Sequence, residues 1–310
     1  LLYAKGGITL SSLNLRVATL NISGGEETFE EFPDETQISR KEALELLVSR
    51  LDADVLCLQE ASQHIDSDGV THSLLNEINR AGNYNHYFYG ETLSMETHMQ
   101  VKKDVMVKGL FNDWWNWSKG NAIHSRVPFA RLGDPTRAGV PRSIPLYQPN
   151  AYEGSRDTDP RFALLTRLKQ PPFPFVVTLH LTTLVGERQP QTQPNKIEQS
   201  HLMRYQQVRR LLDLVREHIL AKGEPLILAG DFNAAEDEFC IAHLLESQNG
   251  FIRLKPENDG PSHPGLDKAI DHIFFFPQER LAAYSCRIET SDLSRQASDH
   301  LPVVADLQIK

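Results

Sequence analysis

The stretch from Gly223 to Ala234, GEPLILAGDFNA, sets a carboxylate and a carboxamide two residues apart, Asp231 and Asn233, just after the apolar run Leu226-Ile227-Leu228-Ala229. A short apolar run punctuated by Gly and Pro reads as a buried strand. In extended geometry, side chains two residues apart point the same way. Asp231 and Asn233 then project together from the mouth of that strand, where a core has no use for them. The pair also suits an Asx-turn that closes the strand, with Asp231 capping a helix that begins near Glu236. Residues of the same kind end or follow other apolar runs: Asn21, Glu60, Asn121, Arg161, His180, Asp271, Asp299 and His300. Any one of them could be a satisfied buried polar group or a cap. Taken with Asp231 and Asn233 they comprise four carboxylates, three carboxamides, two imidazoles and one guanidinium. Hard oxygen donors with few sulfurs suit Mg²⁺ or Mn²⁺ rather than zinc or copper. Imidazole and guanidinium beside them suit a phosphoryl group whose negative charge grows in the transition state.

The elements that must position these residues alternate along the chain. Leu15–Asn21 is a strand. Ser39–Leu51 is an amphipathic helix, with Ser39 as N-cap and Glu42 three residues on in a capping box. Asp54–Gln59 is a second buried strand, ended by Glu60. Strand, helix, strand in this order implies a layered α/β arrangement. A helix over Thr71–Arg80 and strands over His86–Tyr89 and Gly120–Ser125 follow. Arg161–Leu168 and Pro174–Leu181 form a hairpin, with His180 near its end. Helices are expected over Glu198–Ala221 and Glu238–Glu246, and strands over Ala269–Phe276, Ala282–Glu289 and Leu301–Ile309. Two stretches lack a period. One, Gly90–Gly120, holds Trp114, Trp115 and Trp117; the other, Asp134–Pro160, reads as a long irregular excursion. No repeat, low-complexity tract or linker divides the chain, so a single domain over residues 1–310 is expected, with its core over about 15–309.

Composition narrows the function classes. At 40% hydrophobic and 24% charged residues, the chain can bury a sizeable core. A net charge of -9 argues against indiscriminate binding to a polyanion. Cys57, Cys240 and Cys286 are widely spaced and form no CxxC, so they read as reduced thiols rather than a disulfide framework or zinc site. No run approaches the roughly 18 apolar residues of a membrane span. The first residues have neither the basic start nor the apolar core of a signal peptide, which makes cytoplasm the default location. The charge run Glu26–Asp34 reads as a solvated loop.

Seven segments in order carry a resemblance: TLN ending at Asn21, LQE ending at Glu60, GNAIHSR at 120–126, TLH ending at His180, GDFN at 230–233, IDHI at 270–273 and SDH at 298–300. They resemble the endonuclease/exonuclease/phosphatase superfamily, nearer its sphingomyelinase-like and general phosphodiesterase branches. The resemblance implies a two-sheet αββα sandwich and metal-dependent hydrolysis of phosphate esters by in-line attack of water. Carried over to matching residues, it implies that Glu60 is the principal ligand of Mg²⁺ or Mn²⁺, with Asn21 and Asp299 near the ion. His300 would hydrogen-bond the scissile phosphate or protonate part of it, and Asp271 would orient that imidazole. Asp231 would orient or deprotonate the attacking water, Asn233 would hold Asp231 or a phosphate oxygen, and His180 would stabilise the transition state. Asn121 and Arg161 would touch substrate; for Arg161 a surface ion pair is the other reading. His124 stands where those branches carry Leu.

The substrate class stays open at this level. The GNAIHSR and PRFALL segments and Arg204-Tyr205-Gln206-Gln207 resemble the branch acting on small or lipid-like phosphate esters, and the acidic charge agrees. A DNA-directed nuclease or end-processing enzyme is the alternative. The tryptophans could then stack bases, and Arg137, Arg142 and Arg156 could track a backbone. A non-catalytic scaffold would be expected to have lost some of the ten polar residues, and this chain keeps them. The partner is therefore a phosphate-ester substrate, and the working unit is expected to be a monomer.

Overall fold

Among the described residues, alternating and continuous apolar runs fold into fourteen strands in two sheets, flanked by helices. The computed structural model describes residues 12–24, 38–99, 101, 107, 111, 114–189, 191–258 and 260–310. In chain order the strands are β1 (Leu13–Gly24), β2 (Val55–Asp66), β3 (Thr71–His72), β4 (His86–Ser94), β5 (Trp114–Ser125), β6 (Phe129–Ala130) and β7 (Arg142–Tyr147). They continue as β8 (Arg161–Leu168), β9 (Phe175–His180), β10 (Leu226–Asp231), β11 (Ile252–Arg253), β12 (Asp271–Phe276), β13 (Leu281–Ile288) and β14 (Val303–Ile309). Among the described residues the helices with defined bounds are α1 (Arg40–Leu51), α2 (Leu74–Gly82), α3 (Met95–Met99), α4 (Pro194–Arg216), α5 (Phe239–Leu245) and α6 (Asp292–Ala297).

The first sheet runs β13-β14-β1-β2-β5-β4, with β3 paired to β2; the second runs β11-β12-β10-β9-β8-β6, with β7 paired to β8. Strand alternation assigns each apolar side chain to a layer. Ile227 and Ala229 of β10 face Val17, Cys57 and Val303 in the core between the sheets. Leu226 and Leu228 face the other way, packing under Val208, Leu211 and Leu212 of α4 and Ile241 of α5. On the far side, Leu20, Leu56 and Leu58 pack under Leu44 and Leu47 of α1 and Ile78 of α2. The layers are therefore helix, sheet, sheet, helix: the αββα sandwich. The three cysteines are free and buried. Among the described residues no helix is long and apolar enough to cross a membrane.

Several elements depart from the sequence expectation. The expected helix over Thr71–Arg80 starts only at Leu74, where the Ser73 hydroxyl accepts from Leu75 N; Thr71 and His72 pair with β2 instead. Ser39 does cap α1, accepting from Glu42 N at 3.1 Å. The strand expected at Gly120 begins at Trp114, so the tryptophans belong to β5. Trp114 and Trp115 side chains lie outside the described residues, as does the charge run at 26–34. The stretch Asp134–Pro160 contains β7 and a 3₁₀ turn at Arg156–Thr158. Helix α4 starts earlier than expected, with Pro194 in its first turn, and stops at Arg216.

Candidate active site

Strand register brings three of the expected residues into one row. In the second sheet Asp231 at the end of β10 pairs with His180 on parallel β9 and with Asp271 on antiparallel β12. Gly230 makes this close approach possible. Its φ is +156°, and an added Cβ would lie 2.1 Å from the Leu179 carbonyl oxygen. The first sheet contributes Asn21 from β1, Glu60 from β2 and Asn121 from β5, and the loop between α6 and β14 supplies Asp299 and His300. A polar cavity of about 210 Å³ is lined by nine of the ten predicted residues, among them Asn21, Glu60, Asn121, Arg161, His180 and Asp299. The tenth, Asp271, lies behind His300, with its Oδ2 2.9 Å from His300 Nδ1.

Hydrogen bonds fix the buried wall of this cavity. Asp231 Oδ1 accepts from Asn233 N at 2.8 Å, the expected Asx-turn, and Oδ2 accepts from Asn21 Nδ2 at 3.0 Å. The Asn233 amide is oriented from both ends. Its Nδ2 donates to Leu181 O at 3.0 Å, and its Oδ1 accepts from Arg188 Nη2 at 3.0 Å. That orientation makes Nδ2 a donor toward His180 Nε2, also at 3.0 Å, so this nitrogen accepts and His180 is neutral. Burial, with Arg161 nearby, holds the His180 pKa well below the usual imidazole range, in agreement. In this arrangement His180 Nε2 carries no proton.

His300 is the opposite case. Burial opposes its charge, but Asp271 and Asp231 outweigh burial and raise its pKa to about 10. Its Nδ1–H is committed to Asp271, and its Nε2 lies 3.9 Å from Asp231 Oδ2. Burial and the neighbouring Asp271 raise the Asp231 pKa to about 6, into the range of a working general base.

The open wall differs. Glu60 sits where β2 slips register against both β1 and β5, and its φ of +53° is in the left-handed region. Such backbone costs on the order of 1–3 kcal/mol in a residue other than glycine and persists where its surroundings enforce it. Here it accompanies a carboxylate that lines the cavity, 3.3 Å from Asn21 Nδ2 and 3.8 Å from His180 Nε2. Asp299 Oδ2 lies 3.5 Å from Ser23 Oγ and 4.0 Å from His263 Nε2.

The residues fit a divalent cation. Asp231, Asp271 and His300 form a candidate metal site, with potential ligand atoms all within 4.8 Å of one another. Asp271 Oδ1 is buried without a hydrogen-bond partner. Glu60 and Asp299 stand outside that trio, as a second pair of hard-oxygen donors open to the cavity.

Several participants were not visible in the sequence. Ser262 donates to Asp271 Oδ2 at 2.6 Å and accepts from the amides of Ile270 and Asp271. Ser298 donates to Asn21 O at 2.6 Å and accepts from His300 N. Gln59 spans the two sheets beneath the site, from Thr19 Oγ1 to Thr178 Oγ1. His263 lines the cavity edge-on to His300, with ring centroids 4.9 Å apart. Asn121 Nδ2 donates to Phe162 O, and Arg161 pairs with Asp159 at 4.0 Å, both at the cavity wall. His124 lies away from the cavity, buried against Asn79 with its pKa lowered to about 3 by burial.

Comparison with known proteins identifies the family and the fold. The model of the endonuclease/exonuclease/phosphatase family matches residues 18–300. Among solved structures, the fold is shared with an endonuclease/exonuclease/phosphatase from Beutenbergia cavernae DSM 12333: TM-score 0.63, 23% identity, covering 96% of this chain and 72% of that one. It is also shared with truncated Caenorhabditis elegans TDP2 (TM-score 0.58, 15% identity, 95% of this chain and 98% of that one). SmcL is a further neighbour, with TM-score 0.60 and 14% identity over 95% of this chain and 99% of that one. No curated protein sequence matches significantly. Matched by that family's model over most of its length and built on the same two-sheet phosphoesterase fold, the chain belongs to the endonuclease/exonuclease/phosphatase family.

Proposed function

We propose that the protein is a Mg²⁺- or Mn²⁺-dependent phosphodiesterase that directs water in line onto phosphorus. The observation that carries this reading is the buried chain Asp271–His300···Asp231, facing the open carboxylates of Glu60 and Asp299 across one polar cavity. Asp231 is a raised-pKa carboxylate with one oxygen toward Asn21 and His180, suited to orient water and take its proton. Asn21 and the Asn233 backbone amide hold that carboxylate in place. His300, kept as an imidazolium by Asp271, presents Nε2 as the donor to a phosphate oxygen. His180 positions Asn233 and leaves the electrostatic work to His300. Asn121 and Arg161 face the substrate from the far wall. Glu60, with Asn21 and Asp299, would hold the cation. When bound, it would supply Lewis-acid stabilisation of the phosphoryl charge.

The test is hydrolysis of bis-p-nitrophenyl phosphate, p-nitrophenyl phosphate, an abasic-site duplex, an oligonucleotide with a tyrosyl-ester end, and sphingomyelin, each with Mg²⁺, Mn²⁺ or EDTA. Turnover of a diester that EDTA abolishes is the expected result. Silence on every diester with Mn²⁺ bound would overturn it.

A further inference from the structure

One wall of the cavity is cationic and has no part in the acid–base chain. Lys119 lies two residues before Asn121 on β5, on the same strand face. Its Nζ is 2.8 Å from Asp159 Oδ2. Arg161, the first residue of β8, reaches the same oxygen at 4.0 Å. Arg156, in the 3₁₀ turn just before, lines the same cavity, is exposed, and has no carboxylate partner among the described residues. Two cations thus share one carboxylate, and a third beside them has none.

That carboxylate and Arg161 are 4% and 6% exposed, and the Arg161 Nε is buried with no hydrogen-bond partner. A buried guanidinium is expensive unless its donors are satisfied and its charge is matched. A purely structural ion pair would satisfy that nitrogen; here an incompletely bonded guanidinium and an excess of positive charge line the cavity. The charge reaches inward, since Arg161, Lys119 and Arg156 all act against protonation of His180.

We propose that Lys119, Arg156 and Arg161 form a second anion subsite. It takes a phosphate group of the substrate other than the one hydrolysed. The inference rests on the phosphodiesterase reading and sharpens it: the substrate carries at least two phosphates on one scaffold. A leaving group with a cationic head would meet this wall unfavourably. Arginine and lysine side by side suit a phosphate, with the guanidinium giving paired N–H donors and the ammonium a point charge.

Calorimetric titration of the full chain with Mg²⁺ present tests it, with thymidine bisphosphate, phosphorylated on both deoxyribose hydroxyls, against thymidine monophosphate. Inositol bisphosphate against inositol monophosphate forms the second arm. The subsite predicts that the bisphosphate binds about tenfold tighter or better on at least one scaffold, equivalent to about 1.4 kcal/mol. The scaffold with the larger ratio identifies the source of the second phosphate. Lys119→Met and, separately, the exposed Arg156→Gln bring that ratio toward one. A wild-type ratio near one on both scaffolds overturns the proposal, as does a ratio that survives in both variants. Because the readout is binding, loss of the diesterase reading is seen separately, as an intact ratio with no diester turnover.

Discussion

The side chains of Asp231 and Asp271 are 1% exposed, whereas those of Glu60 and Asp299, across the same cavity, are 39% and 54% exposed. The buried pair is held by strand register, by Ser262 and by Asn21. The open pair has few contacts: Glu60 with Asn21 and His180, Asp299 with Ser23, Ser298 and His263. The difference separates two tasks. Proton placement needs desolvation to tune carboxylates and imidazoles, and that needs a closed, fully bonded wall. Capture of a hydrated cation needs carboxylates that water can reach.

Breaking the buried wall should have the largest effect. Asp271→Asn removes the charge that keeps His300 protonated, and His300→Gln removes the donor itself. Each is expected to lower kcat on bis-p-nitrophenyl phosphate by about 10²–10⁴-fold, the usual scale for a positioned proton donor, with a small change in KM. Equal loss in kcat/KM with kcat preserved would move these residues to ground-state binding.

Arg204→Met acts on the supports of that wall. Arg204 is fully buried, bonded to Glu187 at 2.7 Å, to Glu238 at 3.0 Å and to Thr182 O at 3.1 Å. It ties the loop after β9 to the loop after β10. Leaving two carboxylates without it should cost about 3–5 kcal/mol in denaturant unfolding. Ser262→Ala strands two buried amides and part of Asp271, and should cost about 1–3 kcal/mol in the same measurement.

A smaller, pH-dependent effect follows from His300. Its folded pKa, about 10, lies above the ordinary 6.5, so its protonation stabilises the fold. That contribution is complete below pH 6.5 and is lost as pH rises through about 10. In metal-free protein, the stability gap between wild type and His300→Gln should therefore shrink over that interval, as read from Tm. A constant gap would mean that His300 is not held charged.

Much of this was legible in the sequence because strand ends are written in it. The register of His180, Asp231 and Asp271 follows from three apolar runs that each meet a polar residue at one end. Other features depend on tertiary contact. Ser262 gains meaning only when its loop folds over Asp271, and a serine beside two prolines reads as a turn. The neutral state of His180 depends on Arg188, which is 45 residues from Asn233 in sequence and unremarkable in its own loop. Glu60 reads as a strand end in the sequence, but β2 continues to Asp66 and the residue sits on a register slip inside it. A bulge changes the aim of a side chain without changing the apolar pattern. The tryptophans of β5 read as irregular in the sequence because polar residues interrupt their alternation.

The most direct measurement pairs Mn²⁺ affinity with diester turnover in Glu60→Ala and Asp231→Asn. The account predicts that Glu60→Ala loses both, while Asp231→Asn binds Mn²⁺ as wild type does and loses turnover. If Asp231→Asn lost Mn²⁺ while Glu60→Ala kept it, the ion would belong to the buried trio of Asp231, Asp271 and His300, and the division between the two walls would be wrong.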